Sequence, residues 1–345
     1  MKRAGVRGCF WPTDEQDLLL RLVLGPEADA PGVWRRLRPL DVEAVEAGTF
    51  PLLPLAAQRL ERLDPEDPEL DRLRGTYRKA WYRNQVHVRR LPEVLGRWEG
   101  AVLLGGIAIA AAYYPSLGTR PVFATDLLVE TGPDAPGPGG LEFPIRERLP
   151  VPLYPGAEAD FRFRAGILRI GETEAAVLDA TDELLLVIAQ GARLNDPPTV
   201  QWLVDAHHIA ASGRVNWTDL AERAAAARLA APVADTLAYL AAVGANIPEA
   251  AVASLAGIET SWREKAAARL SGSRPGPAGM LPRDVGDFLR ATAHEPPLAA
   301  ARAFPRHLQD AWGLERGSEL PRAALRKVAA RARSRRPPRT QPPEE

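Results

Sequence analysis

The sequence predicts an α+β protein: a small mixed β-sheet flanked by helices, with N-terminal and C-terminal helical regions. Three observations predict it. First, an apolar run from Ala101 to Leu104 ends at Gly105-Gly106, passes into the small residues of Ile107 to Tyr114, and is answered by a second apolar run from Val122 to Val129. That order reads as strand, turn, helix, loop, strand. Second, short apolar/polar alternations recur between residues 141 and 178, the period of half-buried strands. Third, apolar residues return at helical spacing on both sides of this core. The regions so drawn are 1–99 (helical), 100–178 (α/β core), 179–330 (helical) and 331–345, a basic and Pro-rich tail whose composition predicts disorder.

Pro12-Thr13-Asp14-Glu15 reads as a helix opening, with Leu18, Leu19, Leu22 and Val23 on one face. Trp34, Leu37 and Leu40 suggest a second short helix. Helical spacing continues from Val42 to Leu63 around Pro51 and Pro54, and residues 64–68 (DPEDP) form a turn. Residues 69–99 predict a long helix, striped by Leu70, Leu73, Tyr77, Trp81 and Leu91, with a kink or restart at Pro92. Trp81 and Tyr82 are assigned to core and rim packing.

Beyond the central motif, residues 131–140 (TGPDAPGPGG) form a shortened connection that neither a helix nor a central strand tolerates. Residues 141–150 alternate, but Pro144 restricts them to a short or edge strand. Residues 160–170 (DFRFRAGILRI) alternate well enough for a strand or hairpin, and Ala175 to Leu178 is a further strand. Asp179 opens a helix, Val200 to Asp205 begins another, and Asn216 or Thr218 caps a third. Residues 246–330 are Ala-rich helical segments broken at 274–279 and at Pro296-Pro297.

Composition excludes several function classes. The chain has 345 residues, with Lys+Arg and Asp+Glu both at 44. Zero net charge gives no global ground for a nucleic-acid partner. One cysteine, Cys9, permits neither an internal disulfide nor a cysteine zinc site. No apolar run reaches signal-peptide or membrane-spanning length, so a cytoplasmic protein without a membrane partner is expected. His207-His208 diverge by about 100° on a helix, so one core and one surface histidine is expected rather than a metal site.

The chemistry concentrates at the central motif. A glycine pair opening a helix leaves backbone N–H groups bare for phosphate, with no Cβ in the way. Gly105 and Gly106 are therefore the candidate nucleotide-binding turn. Arg120 is cationic at any working pH and suits either phosphate or a structural salt bridge. Asp126 stands alone on an apolar strand, where an acid is costly unless paired or metal-bound.

Gly105-Gly106, Tyr114-Pro115, Gly118, Arg120-Pro121 and Asp126-Leu127-Leu128-Val129 together resemble an uncharacterised bacterial nucleotidyltransferase family, a branch of the DNA polymerase β-like superfamily. Tyr77-Arg78 and Asn84 resemble the family's run before the core. The helix order from Leu184 through Trp202-Leu203-Val204-Asp205 to Trp217 resembles its C-terminal half, so the likeness spans about residues 12–245. The sequence departs from the family at Gly105, where lysine is usual, at Gln190, where histidine is frequent, and at Ala124, where the first metal-binding aspartate belongs.

The resemblance implies a nucleotidyltransferase-type sheet, Mg²⁺ as cofactor and an NTP as substrate, with the nucleotidyl group passed to a small-molecule or protein acceptor. Two ions about 4 Å apart would clamp the attacking and leaving oxygens. It implies Asp126 and Glu142 as the catalytic, metal-holding carboxylates, with Asp160 as the other choice for the third acid. Glu130 cannot replace the missing ligand at 124, since four extended residues carry it roughly 13 Å along the strand; Asp134 could reach only by folding back. The alternative implied by Ala124 is a catalytically degenerate member, a pseudoenzyme that binds a nucleotide or a partner protein.

Overall fold

The computed structural model describes residues 10–37, 45–46, 48–130, 142–193, 199–271, 281–293 and 295–326. The predicted segment 131–140, with Asp134, and the tail 331–345 lie outside the described residues. The chain falls into two compact units, Phe10–Thr260 and one that takes in Ser261–Glu345. The N-terminal helices, the α/β core and the helices up to residue 260 thus share one unit.

In that unit four helices precede the sheet: α1 (Asp14–Leu24), α2 (Ala30–Leu37), α3 (Leu53–Leu63) and α4 (Leu70–Arg97). A capping box starts α1, with Gln16 N donating to Thr13 Oγ1 and Thr13 N donating to Gln16 Oε1. The turn after α3 puts Asp67 under Trp34, whose indole N–H donates to it at 2.7 Å. Helix α4 runs unbroken through Pro92. The helix does not restart at Pro92.

The sheet has five strands: β1 (Val102–Leu104), β2 (Asp126–Leu128), β3 (Ile145–Arg146), β4 (Gly166–Ile170) and β5 (Thr173–Val177), in the order β3-β2-β1-β5-β4. It is mixed. β1 is antiparallel to β2 and parallel to β5; β2 is parallel to β3; β4 is antiparallel to β5. Pro144 leads into β3 at the sheet edge, where a missing N–H is harmless, and its carbonyl accepts from Leu127 N at 2.8 Å.

Period-2 burial splits the strands between two cores. Val102, Leu104 and Leu128 join the core built with the N-terminal helices and with α7 (Ala180–Gly191), α8 (Gln201–Ala211), α9 (Trp217–Ala226) and α10 (Ala230–Val243). Leu103, Leu127 and Val129 face the other way, onto Leu91, Val94 and Trp98 of α4 and onto Phe143. Helix α5 (Gly106–Tyr113) follows β1 directly.

One sequence expectation is corrected here. Residues 160–164 are not strand; Ala157–Arg164 is helix α6, entered from Gly156 in the left-handed conformation. Phe161 and Phe163 would share a face in a strand. Helical spacing separates them by about 200°, which leaves Phe161 fully buried and Phe163 91% exposed. Residues 166–170 are strand, as expected. Asp179 caps α7 through the N–H groups of Thr181 and Asp182, and Asn216, not Thr218, caps α9.

The second unit holds α12 (Trp262–Ser271), α13 (Leu281–Ala291) and α14 (Pro297–Ala311). Phe288 stacks edge-on against Phe304 at 4.9 Å, and the Trp312 indole N–H donates to Asp284 at 2.8 Å. Among the described residues no helix is long and apolar enough to cross a membrane.

Candidate functional site: the glycine turn and the polar cluster behind it

The turn between β1 and α5 is tight and cannot be otherwise. Gly105 and Gly106 both have positive φ, 61° and 49°, a region L-residues rarely occupy. A Cβ on Gly106 would lie 2.2 Å from Thr125 Oγ1 and 2.5 Å from the Ala124 carbonyl. The chain entering β2 therefore lies directly against the turn. Thr125 uses this closeness: its buried hydroxyl accepts from Ile107 N at 2.9 Å and so caps α5.

A second internal acceptor faces the same turn. Glu183, in the first turn of α7, is fully enclosed beside the Gly105 N–H. One carboxylate oxygen, Oε1, has no partner. Burial, reinforced by the neighbouring Asp205 charge, pushes Glu183 up to about 8, against the opposing pull of Arg120 and the Gly105 N–H.

Arg120 is committed elsewhere. Its Nε and one Nη donate to the two oxygens of Asp205, each at 2.7 Å, and the other Nη donates to the Gly106 carbonyl at 3.0 Å. Both side chains are buried, 9% and 6% exposed. Tyr114 Oη donates to Asp205 at 2.6 Å, and Gln201 donates to both Tyr114 and Asp205. The two readings of Arg120 left open by the sequence thus meet a definite geometry: its side chain forms the structural salt bridge and braces the glycine turn from behind.

The other motif residues also act on this scaffold. Asn84 of α4 donates to the carbonyls of Leu117 and Arg120, both at 2.6 Å, and accepts from Val122 N at 3.1 Å. Gly118 is small because the Tyr77 ring fills its side; an added Cβ would sit 2.4 Å from that ring. Tyr77 Oη bonds Ser116 Oγ at 2.9 Å. Tyr77, Asn84, Tyr114, Gly118 and Arg120 together fix the path of residues 114–122 between α5 and β2.

Each of the two expected metal ligands is paired with a cation. Asp126 opens β2 opposite Leu104, close to the turn, and Arg146 Nε of β3 lies 2.7 Å from its Oδ2. Glu142 is paired with Arg90 of α4. Asp160, the other choice, is on α6 beside Arg164 at 3.9 Å. Position 124 carries a methyl group, and Glu130 is exposed. Among the described residues no three His, Cys, Asp or Glu side chains gather to hold a metal ion. Two acids each neutralised by a separate arginine, with no third, do not fit a pair of magnesium ions.

His207 and His208 depart from the expectation of one core and one surface residue. Both are partly buried, with rings 5.6 Å apart at 84°, and His208 lies 4.3 Å from the Tyr114 ring. Burial drives both down to about 4, aided at His207 by the charge of His208. A further cluster surrounds Asp182, which accepts from Arg164 at 2.7 Å and Arg223 at 2.8 Å. Burial raises it to about 6 despite these two cations.

Sequence reasoning missed Glu183 and Asp205. Glu183 follows Asp182 at the head of the apolar run DELLLVI, and Asp205 ends the run in WLVDA; only the second is a lone acid of the kind that singled out Asp126.

Comparison with known protein families, with curated proteins and with solved structures gives no match. The likeness to nucleotidyltransferases therefore rests on the motif residues themselves.

Proposed function

We infer that the chain carries a nucleotidyltransferase-type core without a working metal site, and that it acts as a binding protein for a nucleotide or a protein partner rather than as a transferase. The ordered motif from Gly105-Gly106 to Asp126-Leu127-Leu128-Val129 supports the core. The observation that carries the loss of transfer is the fate of the acids: Ala124 offers no ligand, Asp126 is paired with Arg146, and Glu142 with Arg90. The turn is compromised as well, because the Glu183 carboxyl stands beside the Gly105 N–H and Thr125 already accepts from Ile107 N. A triphosphate arriving there must displace or neutralise a carboxylate.

The second reading is a Mg²⁺-dependent transferase acting on an NTP. One observation favours it: Asp126 keeps its place at the head of β2, across from the residue before the glycine turn. Pyrophosphate release from each of the four Mg-NTPs separates the two. The binding reading expects none from the wild type, together with a rise in Tm on adding nucleotide that does not need Mg²⁺, or, for a protein partner, no rise at all. Pyrophosphate release that disappears in Asp126→Ala overturns it in favour of the transferase.

A further inference from the structure

The chain as a whole is electrically neutral, but its charge is not evenly spread. Between residues 72 and 92, helix α4 contains no acid and many arginines. Its buried side carries Leu73, Ala80, Asn84, His87 and Leu91. The opposite side is a solvent-facing strip. Tyr82 stands at its centre, with Arg78 and Arg89 within about 40° of it by helical spacing, and Lys79 and Arg83 on one shoulder. The aromatic rings are open to solvent: Tyr82 is 69% exposed, and Trp81, on the far shoulder, 46%. This corrects the expectation that the pair packs in core and rim.

The strip continues onto the loop that leads to β2. Phe123 is 58% exposed, and the Arg83 guanidinium stacks over its ring at 4.8 Å. Asn84, one residue on from Arg83, is the side chain that anchors this loop. The aromatic and cationic groups are thus held on one rigid support.

Only some of these charges are met inside the protein. Arg74 pairs with Glu61 and Asp71, and Arg90 with Glu142. Arg78, Lys79, Arg83 and Arg89, by contrast, have no ion-pair partner among the described residues. Lys79 and Arg83 stand four apart, a spacing at which like charges destabilise a helix. A solvated face gains nothing from that arrangement; an anionic ligand does.

We propose that this face of α4, with Phe123 beside it, binds single-stranded nucleic acid. The cations track a phosphate backbone, while Tyr82 and the flat Arg83–Phe123 pair offer planes on which bases stack without regard to sequence. Two other anionic partners fit less well. Apart from Val86 the strip carries no aliphatic residue, and its aromatic rings stand among cations instead of forming the continuous apolar face that an interfacial helix buries in lipid. An acidic peptide would engage the cations but has no use for open aromatic planes. The inference goes beyond the binding-protein reading of the core and holds whether or not the core turns over nucleotide.

The test is fluorescence anisotropy of the full chain with labelled single-stranded RNA, single-stranded DNA and duplex DNA of mixed sequence. Single strands should bind more tightly than duplex. With three or four phosphates neutralised, affinity should fall roughly 20- to 50-fold between about 50 and about 200 mM KCl. The double variant Arg78→Ala/Arg89→Ala should weaken binding at least about tenfold and flatten the salt slope by about 1.4. Tyr82→Ala should weaken it several-fold and leave the slope unchanged. All three residues are at the surface, and circular dichroism verifies that the variants fold. No binding at about 50 mM KCl overturns the proposal. So does equal competition by poly-glutamate or by phosphatidylserine vesicles with Tyr82→Ala neutral, the result expected of an acidic protein or a membrane partner.

Discussion

Replacing Glu183 by glutamine should change how stability depends on pH, and the expected size follows from its surroundings. The carboxyl group is enclosed, has one oxygen without a hydrogen-bond partner, and shares its site with Asp205, which already holds the Arg120 cation. Its folded value of about 8 lies above the reference of 4.5. The folded state therefore binds the proton more tightly than the unfolded chain, and stability falls as pH rises from about 4.5 through about 8. The folded histidines, at about 4, stay neutral above pH 6.5, but in the unfolded chain they still titrate near 6.5 and act in the opposite sense. The difference between the wild type and Glu183→Gln, which share these groups, isolates Glu183 between pH 6.5 and 8.5. Integrated over that interval, the linkage amounts to about 2 kcal/mol. For a unit of this size that is roughly 4–8 °C in Tm. Urea unfolding at the two pH values measures it. The wild type should lose about 2 kcal/mol more than Glu183→Gln on going to pH 8.5. The same change in both proteins would refute the reasoning, because it means that the carboxyl is solvated.

Three further outcomes are expected. Arg120→Met should cost about 3–5 kcal/mol, since it strands the buried Asp205 carboxylate, whereas Arg120→Met/Asp205→Leu should recover most of the loss; a double-mutant cycle by denaturant unfolding reads the coupling. Gly106→Ala should cost at least about 2 kcal/mol, from positive φ and from the clash with β2, and Thr125→Ala should not rescue it, because the Ala124 carbonyl remains 2.5 Å from the new Cβ. On the acid side, the histidines' depressed values mean that their contribution is complete above about 6.5 and lost as pH falls through about 4; His207→Gln/His208→Gln should therefore lose less stability than the wild type between pH 6.5 and 4, by Tm.

Much of the fold was legible because local chemistry and tertiary structure agree in most of the chain. The glycine pair, the caps at Thr13, Asp179 and Asn216, and the alternation of β1 and β2 each need only a few neighbouring residues to be read. The failures occur where one pattern serves two structures. Phe161-Arg162-Phe163 alternates like a strand, yet Gly156 and the buried pair Ala157/Phe161 make it a helix. Pro92 carries a helix-breaking signal, but α4 is packed on both sides of it and continues. The candidate site was read only in part for a related reason. An acid on a strand announces that it needs a partner; it does not say which. For Asp126 and Glu142 the partners are Arg146 and Arg90, and for Arg120 the partner is Asp205, 85 residues on in the chain. Such pairings are tertiary facts with no periodic trace in the sequence.

These pairings also bear on how a motif should be interpreted. Tyr77, Asn84, Tyr114, Gly118 and Arg120 lie in the stretches that carry the likeness to nucleotidyltransferases. Here each of them acts mechanically, holding residues 114–122 against α4 and the base of the glycine turn. Losing any of them unseats the loop, whatever chemistry the site performs. A residue that serves chemistry alone carries no such load. Arg78 adjoins Tyr77 in those stretches, yet among the described residues it has no ion pair to hold. Under the nucleic-acid proposal, Arg78, Lys79 and Arg89 meet their partner from solvent, on the face of the long helix whose other face builds the core.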